Sequence, residues 1–70
     1  MAERQLGNRI KEKRAEHGLT QAELAARAGV SRKTINTVEN EVFVPSTTLA
    51  LTLAEILDCA VEDLFFLKPD

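Results

Sequence analysis

The sequence has little of what several large classes of protein require. Its 70 residues include a single cysteine, Cys59, so no disulfide forms within the chain and a lone thiol offers no metal site. A single histidine, His17, and the lack of a glycine-rich phosphate loop argue against an enzyme. The longest apolar run has four residues, too few to cross a membrane, and Glu3 and Arg4 lie where an export signal needs apolar residues. These absences predict a small cytoplasmic domain without a metal or other cofactor.

The residues that are present describe a globular protein with unevenly distributed charge. Hydrophobic residues make up 44% of the chain and charged residues 29%. The formal net charge is −2, but residues 1–35 hold eight of the nine basic residues, whereas residues 36–70 hold seven of the eleven acidic ones. A folded chain of this kind either offers a basic face to a polyanion or has a dipolar surface without a partner.

Helical periodicity and terminating residues divide the chain into five short segments. The pattern predicts helices at about 6–17, 21–28, 32–40, 47–57 and 61–65, with residues 66–68 extended before Pro69. Hydroxyl side chains precede three of these helices and can cap them: Thr20, Ser31 and Ser46. Gly18 and Gly29 follow the first two helices and can end them in the left-handed conformation. The predicted fold class is all-α, with an optional short C-terminal β-strand.

Residues 20–40 predict a helix-turn-helix unit, in which two short helices are joined by a glycine turn. Ala25 is small enough for the second helix to cross close over the first. The outward positions of the second helix are all polar or basic: Arg32, Lys33, Asn36, Thr37 and Asn40. Arginine and lysine can bond guanine, asparagine can bond adenine, and a threonine methyl can touch the thymine methyl. An ordinary solvated helix face would also be polar, so the residue types alone leave both interpretations open.

The ordered motifs closely resemble those of the Cro/C1-type (XRE-like) helix-turn-helix family of transcriptional regulators, which includes phage repressors. The resemblance rests on GLTQAELA at residues 18–25, GVSRKTI at 29–35 and VEN at 38–40, and it continues through PS at 45–46 to VEDLF at 61–65. It implies a single five-helix, lambda-repressor-like DNA-binding domain over residues 1–70. Double-stranded DNA is then the expected partner.

The resemblance also implies roles for individual residues. The positions that face bases in the family are Arg32, Lys33, Asn36 and Thr37. The positions that contact the DNA backbone are Gln21, Ser31, Thr34 and Asn40, and the glutamine also braces the recognition helix. Arg14 and Glu39 match a buried ion pair.

Arg14 has an independent reason to need a partner. It shares the apolar face of the first predicted helix with Leu6 and Ile10, where an unpaired cation would be costly. The alternative is that Arg14 extends to solvent.

Two single positions and one loop depart from the family pattern. Glu41 replaces a glycine that usually ends the recognition helix in the left-handed conformation, at a cost of about 1 kcal/mol. Asp58 replaces another glycine and tolerates that conformation better. The loop Val42–Val44 is apolar where the family is often basic, which weakens the contacts to phosphate and suggests burial against protein.

The fourth predicted helix is apolar around too much of its circumference to pack only on one core. At about 100° per residue, its apolar positions sweep roughly 220°, whereas a surface helix needs a stripe only somewhat wider than about 100°. The surplus predicts a homodimer whose interface contains Leu49, Leu53, Ile56 and Phe66. A strand at residues 66–68 could lie at the dimer edge and pair with residues near Ala2–Arg4. In the alternative, Phe65 and Phe66 only close the core of one chain.

The sequence therefore predicts a sequence-specific regulator, a repressor that binds a palindromic operator as a homodimer. The helix at residues 32–40 would enter the major groove. No site for a small-molecule effector is evident. The alternative is a protein-interaction module, such as an antitoxin or anti-repressor, that acts through its apolar C-terminal surface. The acidic net charge and the apolar loop support that alternative.

Overall fold

The computed structural model describes residues 4–69 as a bundle of short helices closed by a small two-stranded sheet. The elements in chain order are β1 (Leu6–Asn8), α1 (Ile10–Glu16), α2 (Gln21–Ala28), α3 (Arg32–Glu39), α4 (Thr47–Ile56), α5 (Val61–Leu64) and β2 (Phe65–Leu67). The predicted five-helix fold is confirmed for this part of the chain. Among its helices, none is both long enough and apolar enough to span a membrane.

Side-chain caps set the starts of α2, α3 and α4. Thr20 and Glu23 form a reciprocal capping box, since the Thr20 hydroxyl accepts from the Glu23 amide at 3.0 Å and the Glu23 carboxylate accepts from the Thr20 amide at 2.9 Å. Ser31 and Ser46 cap α3 and α4, and each hydroxyl accepts from the amide three residues further on at 3.1 Å. All three predicted caps are confirmed, because a cap depends on residues close together in sequence.

The N-terminal segment differs from the prediction. Residues Leu6–Asn8 are not the first turn of a helix but the strand β1, and α1 begins only at Ile10. β1 pairs antiparallel with β2 in the same chain, with Leu6 opposite Leu67 and Gly7 opposite Phe66. The physical reason is that Gly7 is a weak helix former and lies beneath an aromatic ring contributed by the far end of the chain.

The predicted strand at the C-terminus exists, but its bounds and its partner differ from the prediction. It covers Phe65–Leu67 and not residues 66–68, and it pairs with Leu6–Asn8 and not with residues near Ala2–Arg4. The Lys68 amide extends the pairing by donating to the Gln5 carbonyl at 2.8 Å. Ala2 lies outside the described residues.

The core draws on every helix. Its fully buried side chains are those of Ile10, Leu24, Ile35, Val38, Leu53, Leu57 and Leu64. Leu53 has 0% of its surface exposed, so its predicted place in a dimer interface is wrong. It faces inward on α4 and stabilises a single chain, whereas Leu49 and Ile56 on the same helix are only half-buried.

Candidate nucleic-acid interface

α2 and α3 form a helix-turn-helix unit in the structure. Gly29 ends α2 with φ 71°, a left-handed conformation that turns the chain sharply into α3. Ala25 is almost fully buried where the two helices pack, and Ile35 and Val38 anchor the inner side of α3 in the core. The opposite side of α3 is therefore free to meet a partner.

The outward side of α3 carries the residues predicted to face bases. Arg32 and Lys33 lie at its N-terminal end and are exposed, while Asn36 and Thr37 follow one turn later and are half-buried. The Thr37 hydroxyl donates to the Thr34 carbonyl at 2.9 Å, which commits its hydrogen to its own helix. The structure thus brings all four side chains to one helix, with the cations at the end that recognition helices insert deepest.

The residues predicted to contact the DNA backbone lie around the four base-facing side chains of α3. Ser31 and Thr34 flank the start of α3, and their hydroxyls lie 2.9 Å apart. Asn40 follows the last residue of α3 and is exposed. Gln21 is the first residue of α2 and is half-buried against α3.

An ion pair holds α3 to the first helix. Arg14 Nε donates to Glu39 Oε2 at 2.6 Å and Arg14 Nη2 donates to Glu39 Oε1 at 3.1 Å, a two-pronged contact. Arg14 Nη1 also donates to the Leu19 carbonyl at 2.9 Å. The side chains are 13% and 6% exposed, so the alternative in which Arg14 extends to solvent is wrong. The hydrogen bond to Glu39 raises the pKa of Arg14 and outweighs burial, which lowers it.

Gln21 extends the ion pair into a polar network that reaches the outward side of α3. Its Nε2 donates to Glu39 Oε1 at 3.1 Å, and its Oε1 accepts from Asn36 Nδ2 at 3.4 Å, a weak bond. The network therefore joins α1 and α2 to the middle and the C-terminal end of α3. Gln21 acts as a brace for α3, as the resemblance implies.

Asn8 also positions α3, and sequence reasoning missed it. Its Nδ2 donates to the carbonyls of Val38 at 3.0 Å and Glu39 at 3.5 Å, and its Oδ1 accepts from the Ile10 amide at 3.2 Å. One side chain thus ties the end of α3 to the start of α1. No local signal could reveal the bond, because thirty residues separate Asn8 from Val38.

The loop after α3 is attached to the recognition helix by its backbone. Glu41 adopts φ 63°, the left-handed conformation that its replacement of glycine predicts. The amides of Val42 and Phe43 then both donate to the Thr37 carbonyl, at 2.9 and 3.2 Å. The side chains of Val42, Phe43 and Val44 remain 78%, 50% and 69% exposed. This fixed loop therefore presents apolar surface to solvent.

The remaining residues that could carry chemistry, His17 and Cys59, lie outside α3. His17 bonds the Leu57 carbonyl through Nε2 at 2.8 Å, which requires a hydrogen on that nitrogen and satisfies the C-terminal end of α4. Burial raises the pKa of the Cys59 thiol, which makes it a weak nucleophile. Over residues 4–69, no group of three histidine, cysteine or acidic side chains is placed to hold a metal ion.

Comparison with known proteins gives this geometry a context. A helix-turn-helix family model matches residues 10–64. An uncharacterized HTH-type transcriptional regulator of Methanocaldococcus jannaschii is 41% identical over 90% of this chain and 96% of its own.

Two solved structures are similar in fold. The restriction-modification controller protein of Aeromonas hydrophila is 33% identical with a TM-score of 0.74, over 79% of this chain and 83% of its own. The P22 c2 repressor, solved with a synthetic operator, is 30% identical with a TM-score of 0.74, over 77% of this chain and 82% of its own. The chain therefore belongs to the Cro/C1-type helix-turn-helix family of DNA-binding transcriptional regulators.

Proposed function

We propose that the protein is a sequence-specific repressor that binds a palindromic operator in double-stranded DNA as a homodimer. The observation that carries the proposal is the construction of α3. Its inner side is fixed to α1 and α2 by the network of Arg14, Glu39 and Gln21, while its outer side presents Arg32 and Lys33 to solvent. A helix held in this way can enter the major groove without losing its orientation.

We assign base recognition and positioning on the DNA to different groups of side chains. Base contacts are assigned to Arg32, Lys33, Asn36 and Thr37. Backbone contacts are assigned to Gln21, Ser31, Thr34 and Asn40, which flank the base-facing residues and would set their register on the duplex. The mechanism is occupancy of the operator in the cytoplasm and needs neither catalysis nor a cofactor.

Exposed apolar surface in the C-terminal half supports the homodimer. Leu51 on α4 and Leu67 on β2 are both more than half exposed, and Leu49 and Ile56 are half-buried. A two-fold contact would bury such patches on both chains and set two copies of α3 on successive turns of DNA. Phe66 stays in the proposed interface, although its ring also packs over Arg9 in the same chain, with the guanidinium carbon 4.4 Å from the ring centre.

The test compares two matched charge reversals, Arg32→Glu and Arg27→Glu. Both arginines are exposed and both changes alter net charge equally, but only Arg32 lies on α3. We expect Arg32→Glu to weaken operator binding by more than about tenfold, since a two-bond base contact is worth about 1–3 kcal/mol. Arg27→Glu should change binding much less. Equal losses, measured by fluorescence anisotropy at one salt concentration, would contradict the assignment of α3.

A protein-interaction module is the second candidate, and the exposed loop Val42–Val44 favours it. Such a module would tolerate Arg32→Glu but lose its partner with Val44→Asp. Val44 is a better probe than Phe66, because Phe66 packs against Gly7 and its replacement would disturb the two-stranded sheet. If Arg32→Glu still bound the protein partner and Val44→Asp did not, the interaction module would replace the repressor proposal.

A further inference from the structure

We infer that the cleft between α3 and the loop after it reads the C5-methyl group of a thymine in the major groove. This inference rests on the proposed function and adds a specificity determinant, Val42, that lies outside the recognition helix. The cleft is lined by Lys33, Thr34 and Thr37 of α3 and by Val42 and Phe43 of the loop. We call it the α3–loop cleft.

The α3–loop cleft is built onto the recognition helix. The amides of Val42 and Phe43 both donate to the carbonyl of Thr37, itself one of the predicted base-facing residues. The loop backbone therefore keeps a fixed position relative to α3. A duplex that enters the cleft beside Lys33 and Thr37 would also meet Val42, which lines the same cleft.

The chemistry of the cleft fits a methyl group on an anionic duplex. Val42 and Phe43 are 78% and 50% exposed, and the Thr37 hydroxyl hydrogen is already used within α3. The open space of about 310 Å³ is ample for a methyl group and the pyrimidine edge that carries it. Thymine is the one standard base with an apolar group in the major groove.

Charge favours DNA over a second copy of the chain as the occupant. The five lining residues, all within the described part of the chain, include the cation Lys33 and no carboxylate. A two-fold contact through this cleft would bring Lys33 of each copy close to the other, and juxtaposed like charges oppose association. A duplex instead supplies the phosphates that attract Lys33.

The experiment removes the methyl group and nothing else. An operator recovered by selection from random duplexes is synthesised with deoxyuridine in place of thymidine, one position at a time. We expect one position in each half-site to weaken binding roughly fourfold, the factor that burial of one methyl group supports. Replacing that thymine by 5-methylcytosine, with guanine opposite, should preserve more affinity than unmethylated cytosine does.

Val42→Ala links the effect to the cleft. Because Val42 is mostly exposed, the variant should melt at the wild-type temperature while losing the difference between thymine and uracil duplexes. Val44→Ala is the matched control, since Val44 lies in the same loop but lines a different groove, beside Leu6 and Leu67. That variant should keep the full ratio of affinities for the thymine and uracil duplexes, even if its overall affinity falls.

The outcomes separate this inference from the proposed function. Tight binding to a selected operator with no uracil-sensitive position overturns the methyl contact and leaves the repressor intact. A uracil effect that persists in Val42→Ala assigns the methyl to another residue and also overturns the inference. Failure to select any operator overturns both. Val42→Ala could instead abolish dimerisation and leave the ratio of affinities for thymine and uracil duplexes unchanged. That result would also overturn the inference, because the loop would then contact a second copy of the chain.

Discussion

At the scale of single residues, the ion pair of Arg14 and Glu39 decides how firmly α3 is held. We expect Glu39→Ala to lower the free energy of unfolding by about 3 kcal/mol, because it leaves the Arg14 guanidinium buried without its partner. The Leu19 carbonyl would still accept one of its hydrogen bonds. Denaturant titration measures the loss.

Two further variants test the origin of that loss. Glu62→Ala removes an exposed glutamate from α5 and should have little effect. The double variant Arg14→Met/Glu39→Leu should be more stable than Glu39→Ala, since apolar side chains of similar size need no partner. A Glu39→Ala variant as stable as Glu62→Ala would contradict the role of the pair.

Glu41 illustrates strain at one backbone position. Its φ of 63° is unfavourable for a residue with a Cβ atom, although its carboxylate pairs with Lys68. We expect Glu41→Gly to raise the free energy of unfolding by about 0.5–1 kcal/mol after the greater freedom of glycine in the unfolded chain is included. Glu41→Ala is the control, because it removes the same ion pair without relieving the backbone. Thermal melting that ranks alanine above glycine would refute this explanation.

At the scale of secondary structure, the two-stranded sheet of β1 and β2 depends on a close contact between Gly7 and Phe66. A Cβ atom at position 7 would lie 2.5 Å from Phe66 Cε2, so the ring would have to leave its place above the strand and its stacking on Arg9. We expect Gly7→Ala to lower the free energy of unfolding by about 1–3 kcal/mol. Adding Phe66→Leu should recover part of that loss. If the double variant instead lost as much stability as the two single variants together, a direct clash would be contradicted.

The elements that could be predicted are those whose signals are local. Thr20, Ser31 and Ser46 mark the starts of α2, α3 and α4, because a cap bonds an amide only two or three residues away. β1 could not be predicted in this way, since its partner lies about sixty residues further along the chain. A strand of three residues carries almost no periodicity of its own.

The candidate site was predictable for a related reason. Its outward residues share one helix, so helical spacing alone groups Arg32, Lys33 and Asn36 on one face. Asn8 could not be found in the same way, because its contact with α3 arises only when the two-stranded sheet packs against the helices. The prediction for Leu53 is wrong because the sequence shows how much of α4 is apolar, not which part of it the core covers.

At the scale of the whole molecule, the protein carries its charge unevenly. Its net charge is −2, yet basic residues dominate the half of the chain that contains α3 up to Ile35. Affinity for DNA should therefore fall steeply with salt, because lysine and arginine side chains displace the cations bound to the DNA phosphates. The acidic second half of the chain would weaken binding to duplexes that lack the preferred sequence.

The central claim is that two copies of this chain recognise one palindromic site through α3. Its most direct test is selection of bound duplexes from a random pool at about 0.1 M salt, with the mass of the bound protein determined in the same buffer. We predict an enriched inverted repeat whose half-sites lie about one helical turn apart, bound by a species of twice the chain mass. A folded protein that enriches no sequence would contradict the claim.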